Sequence, residues 1–511
     1  MPRKLVLVVV DAMHPEMLLR AIDNDVAPTF GALVERGEMV TDVVSSFPSV
    51  TPVASSEMMT GLGPAGHWVM GMNWYHRLER RYIEYGSSFE ATRTFGLFRA
   101  MYDLVYNMNL DHLSWQAQTV FERLGDAGIR TAATPFLIYR GRQRHQLGLE
   151  GLVKRAAAAA NFRHAVWGPD EFFYGDIYAS RPTGCGPSFT RPGTRDEYSA
   201  CVAENLVTDG AYDFLLFSLP DNDFHSHRHG PEAQVDSIAK ADAMFARLVE
   251  AGGGLDAFLE EHAVLLTADH AQTAVEHALP LADELAEDWA VLQPNTDRPE
   301  EAEIAVSPTS RAGAVYILDT GRRHPGTHER ARLRLRDLTG VDLVTWLARG
   351  DGAPVMRNGV GLDAPDEVEA VVERNGREFR FRPGGQLRDL RGNGWSVSGE
   401  PEALEADITR GRFESEEYPD ALSRLWSALV SPHAGDILIS ATEGYECVDW
   451  GGVSHVGGGS HGSLGRGDSL GPAVFVGCGP KRPGKRPQWA LRDLAPVILE
   501  HFGVDGGRPQ G

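Results

Sequence analysis

The chain has 511 residues, room for two or three domains at about 150 residues each. Hydrophobic residues make up 42% and charged residues 23%, the balance of a folded globular protein, which excludes a largely disordered chain. Lys and Arg number 49 against 71 Asp and Glu, a net charge of −22; that sign excludes gripping a nucleic-acid polymer through the overall field but allows a small anionic substrate beside local cations.

Cys185, Cys201, Cys447 and Cys478 form no CxxC pair, so the spacing suggests neither a disulfide framework nor a thiolate zinc site, and a reducing compartment is expected. The first apolar run, LVLVVV at 5–10, is too short to span a membrane and leads into Asp11 rather than a small-residue cleavage site. It reads as a buried strand of a cytoplasmic protein.

Further short apolar runs follow at 129, 214, 263, 436 and 473, alternating with helical patterns. This is the pattern of a mostly parallel sheet with helices on both faces. Val235, Ile238, Phe245, Leu248 and Val249 mark one helix, stopped by Gly252, Gly253 and Gly254. Residues 71–112 and 140–200 break the rhythm and read as insertions. Residues 291–430 read as a smaller α+β cap domain, leaving 1–290 and 431–511 as the core. The acidic run Asp283–Glu303 and the arginine-rich run Arg322–Arg336 read as solvated faces. The sequence shows no internal repeat; AAAAA at 156–160 and the terminal GGRPQG are its only simple segments.

Several of these strands run into chemistry. In open α/β sheets ligands bind beyond the carboxyl ends of strands, where Asp11 stands; taken alone, it reads as a helix cap more readily than as a ligand. Thr51 lies between Pro48 and Pro52 ahead of a helical run ending at Thr60–Gly61. A hydroxyl there sees the positive end of the helix dipole, which suits attack on phosphorus, but a cap is an equal reading. LPDNDFHSHRHGP at 219–231 offers two Asp/His pairs of identical spacing, Asp221/His225 and Asp223/His227, and oxygen with nitrogen donors suits zinc or a similar metal. Asp269–His270 follow another strand, and His455 and His461 lie in a glycine-rich loop. Together these segments are the inventory of a site where two cations clamp a transferring phosphoryl group.

In order and spacing they resemble the alkaline phosphatase superfamily, and within it the nucleotide pyrophosphatase/type I phosphodiesterase branch, close to phosphonoacetate hydrolases. PSVTPVASSEMMTGLGPAGH is similar to that branch's nucleophile segment, and DxxxHxxGP falls on Asp223, His227, Gly230 and Pro231. Asp269–His270–Ala271 matches DHG, and His461–Gly462–Ser463 matches HGS. The resemblance implies a three-layer αβα core with a mostly parallel central sheet. It implies two divalent metals, zinc first: one held by Asp223, His227 and His461, the other by Asp11, Asp269 and His270. Thr51 would lie between them as nucleophile, forming a phosphothreonine that water hydrolyses. The expected substrate is a small phosphodiester or nucleotide pyrophosphate; phosphonate or phosphomonoester hydrolysis is the alternative, and a non-catalytic phospho-ligand binder a remoter one. Two departures stand out: the family Asn three residues after the nucleophile, which helps hold a phosphoryl oxygen, is Ala54, and the Gly of DHG is Ala271. Asn73 is the replacement donor the sequence offers; the aromatic stripe Phe95, Phe98, Tyr102, Tyr106 reads first as packing of the insertion onto the core, and otherwise, with Trp74 and Tyr75, as a candidate stacking wall.

Overall fold

The strand Lys4–Val10 shows how the sequence builds the core. Side chains alternate across a strand, so Leu5, Leu7 and Val9 enter one apolar cluster with Val53, Met58 and Leu124, while Val6, Val8 and Val10 enter another with Met17, Phe30 and Phe245. Both faces are therefore covered by helices, giving three layers. The computed structural model describes residues 2–146, 164–174, 177–186, 195–296, 298–355 and 368–506. The alanine run 156–160, most of the terminal GGRPQG and part of the 140–200 insertion lie outside them.

The central sheet has nine strands. In order they are Trp489–Ala490, Glu38–Val44, Leu470–Val476, His262–Thr267, Lys4–Val10, Phe214–Leu219, Thr131–Ala133, Glu171–Tyr174 and Tyr178–Ala179. Only Leu470–Val476 and Tyr178–Ala179 run against the rest. Lys4–Val10 pairs in parallel with Phe214–Leu219 on one side and His262–Thr267 on the other. The segments that follow these three strands are thereby brought to one edge.

A second, mainly antiparallel sheet is built from strands within 304–415 and from Ile437–Ala441, which lies between Ala312–Ile317 and Val341–Arg349. This corrects the assignment of the 436 run to the central sheet: five buried residues in a row announce a strand without saying which sheet receives it. The opposed charge runs meet, Arg334 pairing with Glu284 at 2.8 Å and Glu287 at 2.9 Å.

The aromatic stripe is also corrected. Gly96 at φ 99° ends the helix Phe89–Phe95 before the helix Leu97–Tyr102 begins. Phe95 then packs against Tyr82 and Trp450 and Phe98 is exposed, while Tyr102 and Tyr106 pack on each other, centroids 4.8 Å apart, so the four rings form no single wall. Cys185 and Cys201 form a disulfide, while Cys447 and Cys478 are free; the fold brings together two thiols whose separation of 16 residues carries no motif. That pair removes the cysteine argument for a reducing compartment. Among the described residues no helix is long and apolar enough to cross a membrane.

Candidate active site

The central strands deliver their carboxylates to a single place. Asp11 follows Lys4–Val10, Asp223 and His227 lie on the helix Asp221–His229 that follows Phe214–Leu219, and Asp269–His270 follow His262–Thr267. One potential ligand atom each from Asp11, Asp269 and His270 lie within 4.8 Å of one another, and so do one each from Asp223, His270 and His461. His270 belongs to both groups. His227 adjoins the second, its Nε2 3.4 Å from Asp223 Oδ2 and its ring 5.1 Å from that of His461.

Thr51 opens the helix Thr51–Thr60, and the cap position before it, Val50, makes no side-chain cap. The threonine hydroxyl turns instead to His270, with Oγ1 3.1 Å from Nε2. The capping reading of Asp11 fails as well, because His14 caps the helix Pro15–Asp23.

The two Asp/His pairs of equal spacing separate. The Asp221 carboxylate accepts from the Asp196 amide and the Asp221 amide donates to the Asp196 carboxylate, and His225 packs against His229, whereas Asp223 and His227 face the site. Two residues along a helix are about 200° around it, so one helix cannot aim both pairs the same way.

Backbone carbonyls orient all three imidazoles. His227 Nδ1 faces Gly459 O at 2.8 Å, His461 Nδ1 faces Ser49 O at 2.8 Å, and His270 Nδ1 faces Ala271 O at 3.2 Å. A carbonyl only accepts, so each Nδ1 carries a proton and each Nε2 is the ring atom turned to the site, the arrangement expected of metal-ligating histidines. Asp269 Oδ1 accepts from the Ala12 and His270 amides, which leaves Oδ2 buried without a partner, as is Asp11 Oδ1. Burial, then the charges of Asp269 and Asp223, raises the Asp11 pKa well above the carboxylate range. Burial, then the neighbouring His270 and His227, holds His461 well below an ordinary imidazole. Three crowded carboxylates, three imidazoles whose Nε2 faces the site and orphaned oxygens fit divalent cations.

The loop carrying His461 is held from the second sheet. The Arg311 amide donates to His461 O at 2.8 Å, and its guanidinium bonds Asp468 at 2.7 Å. Between His461 and Ser463 the chain passes so close that a Cβ on Gly462 (φ +118°) would lie 2.9 Å from the Arg311 nitrogen, hence glycine.

Other expected positions behave differently. Ala54 is fully buried in the core, so this is a packing position. Asn73 is buried, its amide donating to Pro308 O at 2.5 Å. Trp74 is buried against His76, His112 and His433, and Tyr75 against Tyr82 and Tyr316. The three are closed from solvent and do not form an open stacking wall. Gln272, which sequence reasoning passed over, donates to Asp223 Oδ1. A single glutamine beside a motif carries no signal of that role. His455, paired with Glu446 at 2.8 Å, stacks on His227 with centroids 4.0 Å apart.

Comparison with solved structures supports the fold. Phosphonoacetate hydrolase from Sinorhizobium meliloti 1021, in complex with phosphonoformate, superposes with a TM-score of 0.55 at 16% identity, over 98% of this chain and 96% of that one. Murine ectonucleotide pyrophosphatase/phosphodiesterase 5 gives 0.56 at 11% identity, over 100% and 97%. The core is thus alkaline-phosphatase-like. No curated protein sequence matches significantly. A family model described as type I phosphodiesterase/nucleotide pyrophosphatase matches residues 5–344, a span that holds Asp11, Thr51, Asp223, His227, Asp269 and His270. With strand ends, the segment around Thr51 and the family model in agreement, the chain belongs to the type I phosphodiesterase/nucleotide pyrophosphatase family of phosphoric ester hydrolases.

Proposed function

We propose that this protein hydrolyses a phosphodiester or nucleotide pyrophosphate bond in a small phosphorylated substrate, with Thr51 as nucleophile. The observation that carries the reading is the Thr51 hydroxyl at a helix N-terminus, 3.1 Å from His270 Nε2 and flanked by carboxylate and imidazole donors. Asp223, His227 and His461 would hold one divalent cation, and Asp11, Asp269 and His270 a second; the mixed oxygen and nitrogen donors favour zinc. When bound, such ions lower the pKa of a coordinated hydroxyl and offset the charge of the transferring phosphoryl group.

The chain's own residues supply the rest. The positive end of the Thr51–Thr60 helix dipole favours the anionic form of the hydroxyl and the incoming phosphoryl oxygens. Thr51 Oγ1 gives up its proton to solvent and forms a bond to phosphorus as the bond to the leaving oxygen breaks, giving a phosphothreonine and the leaving group, which takes up a proton from solvent. Water then displaces Thr51 Oγ1 from phosphorus, one of its protons passing to the departing oxygen and restoring the hydroxyl. Two inversions leave the configuration at phosphorus retained.

Thr51→Ala is expected to lower turnover of bis-p-nitrophenyl phosphate by at least about 10³-fold with metal content near wild type. Retained turnover removes Thr51 from the mechanism. Tested beside p-nitrophenyl phosphate and phosphonoacetate, the diester should be cleaved fastest; faster release from phosphonoacetate would replace the proposed substrate class.

A further inference from the structure

A third group of metal-ligating side chains lies outside the catalytic centre. The strands Asn73–His76 and Arg81–Glu84 form a hairpin, and Glu79 lies in its turn. Asp111 and His112 end the wide-turned helix Asp103–His112. One ring nitrogen of His112 and one carboxylate oxygen each from Glu79 and Asp111 lie within 4.8 Å of one another.

Exposed carboxylates cluster often without consequence, so the histidine decides. His112 is 1% exposed. Its Nδ1 is taken by the Tyr85 hydroxyl at 2.7 Å, while its Nε2 is buried with no hydrogen-bond partner. An orphaned buried polar atom is costly and calls for a partner. With Nδ1 donating to the Tyr85 hydroxyl oxygen, Nε2 carries the lone pair that a metal takes.

The neighbours prepare the carboxylates. Arg81 Nε holds Glu79 Oε2 at 2.5 Å while its terminal nitrogens grip both oxygens of Asp103 at 2.6 and 2.9 Å. Oε1 of Glu79 stays available, 3.8 Å from His76 Nε2. His76 accepts the Glu79 amide at Nδ1, so in the neutral ring its Nε2 bears the proton; it is a neighbour rather than a ligand. Asp111 makes no hydrogen bond or ion pair among the described residues. Glu79 and Asp103 thus share the guanidinium of Arg81, while the Asp111 carboxylate lies beside an unpaired imidazole nitrogen with no cation of its own.

We infer that Glu79, Asp111 and His112 form a further divalent-cation site that pins the hairpin turn to the end of the Asp103–His112 helix. One nitrogen and two oxygens leave a fourth position for water, and this donor set suits zinc. The ion is structural: the Ser114 amide, two residues on, bonds His67 O at 3.0 Å, so the clamp fixes the insertion against the segment that follows the Thr51 helix.

The test compares zinc content, by mass spectrometry after dialysis against metal-free buffer, in zinc-loaded wild type, Asp111→Asn and Glu79→Gln. Both substitutions are at exposed positions, and comparing variants makes the result independent of how many ions the catalytic centre holds. Each variant is expected to retain one equivalent less zinc, to lose part of the zinc-dependent rise in Tm, and to hydrolyse bis-p-nitrophenyl phosphate within about twofold of wild type. Cobalt substitution should show one absorbing centre fewer in the variants. Equal zinc in all three proteins overturns the proposal, and so does a difference seen only at millimolar zinc, which would mean an adventitious ion only.

Discussion

Gln272 holds Asp223 from a position that no motif marks. Its amide donates to Oδ1 and to the Asp223 carbonyl, and it is 1% exposed, so the carboxylate has one orientation. Partners of this kind typically account for 10–100-fold in metal affinity or activity. Gln272→Ala should therefore weaken zinc retention, or lower kcat/KM, by about 10-fold or more, read by titration with a competing chelator. Unchanged values in both would separate Gln272 from the site. At this scale the proposed ligands Asp11, Asp223, His227, Asp269 and His270 are legible because they follow strands that the apolar runs announce, and His461 through its glycine-rich motif. The groups that orient them are not, since three are backbone carbonyls, of Ser49, Gly459 and Ala271, and a carbonyl has no identity in a sequence. The choice of Asp223/His227 over Asp221/His225 came from family resemblance; equal spacing could not make it.

The Thr51–Thr60 helix illustrates what periodicity does and does not report. Every residue from Pro52 to Thr60 is buried, so no apolar stripe exists to betray the helix. Its end was readable from Gly61, which takes φ 72°. Burial on all sides forces its polar residues to find partners inside: Glu57 pairs with Arg492 at 3.2 Å, and Arg492 also pairs with Asp420. Burial raises the Glu57 pKa, and Arg492 works against that rise. Removing one member of a buried ion pair typically costs about 3–5 kcal/mol. Arg492→Ala is accordingly expected to lower the urea midpoint by that equivalent and to reduce turnover through misplacement of Thr51. A midpoint unchanged within error would mean that water replaces the guanidinium. The aromatic stripe failed for the opposite reason: a spacing of three, four and four assumes one continuous helix, and Gly96 breaks it.

Across the whole molecule the two large sheets meet at the loop that carries His461. Arg311 stands at the tip of the hairpin Ile304–Thr309/Ala312–Ile317, is 2% exposed, and donates to Tyr445 O and Thr442 O at 3.0 Å each besides Asp468. Its side chain therefore ties the second sheet to the loop that delivers His461. Arg311→Ala should lower Tm and zinc retention together, because Asp468 loses its counter-charge and the loop its anchor. A fall in Tm with zinc retention intact would restrict Arg311 to a packing role. No sequence signal placed an arginine of the 291–430 block beside the glycine-rich loop, since contacts between distant segments leave no local pattern.

The alternating strand Lys4–Val10 carries a last consequence. Its side chains are divided between two separate interiors, and its length sets where Asp11 emerges. Adding or removing one residue within it would reverse which interior each remaining side chain enters on one side of the change, or else shift Asp11 along the chain by about 3.3 Å. The segment thus works as a ruler with no spare gradation: its composition can drift among apolar residues of similar size, but the number of residues between Lys4 and Asp11 cannot.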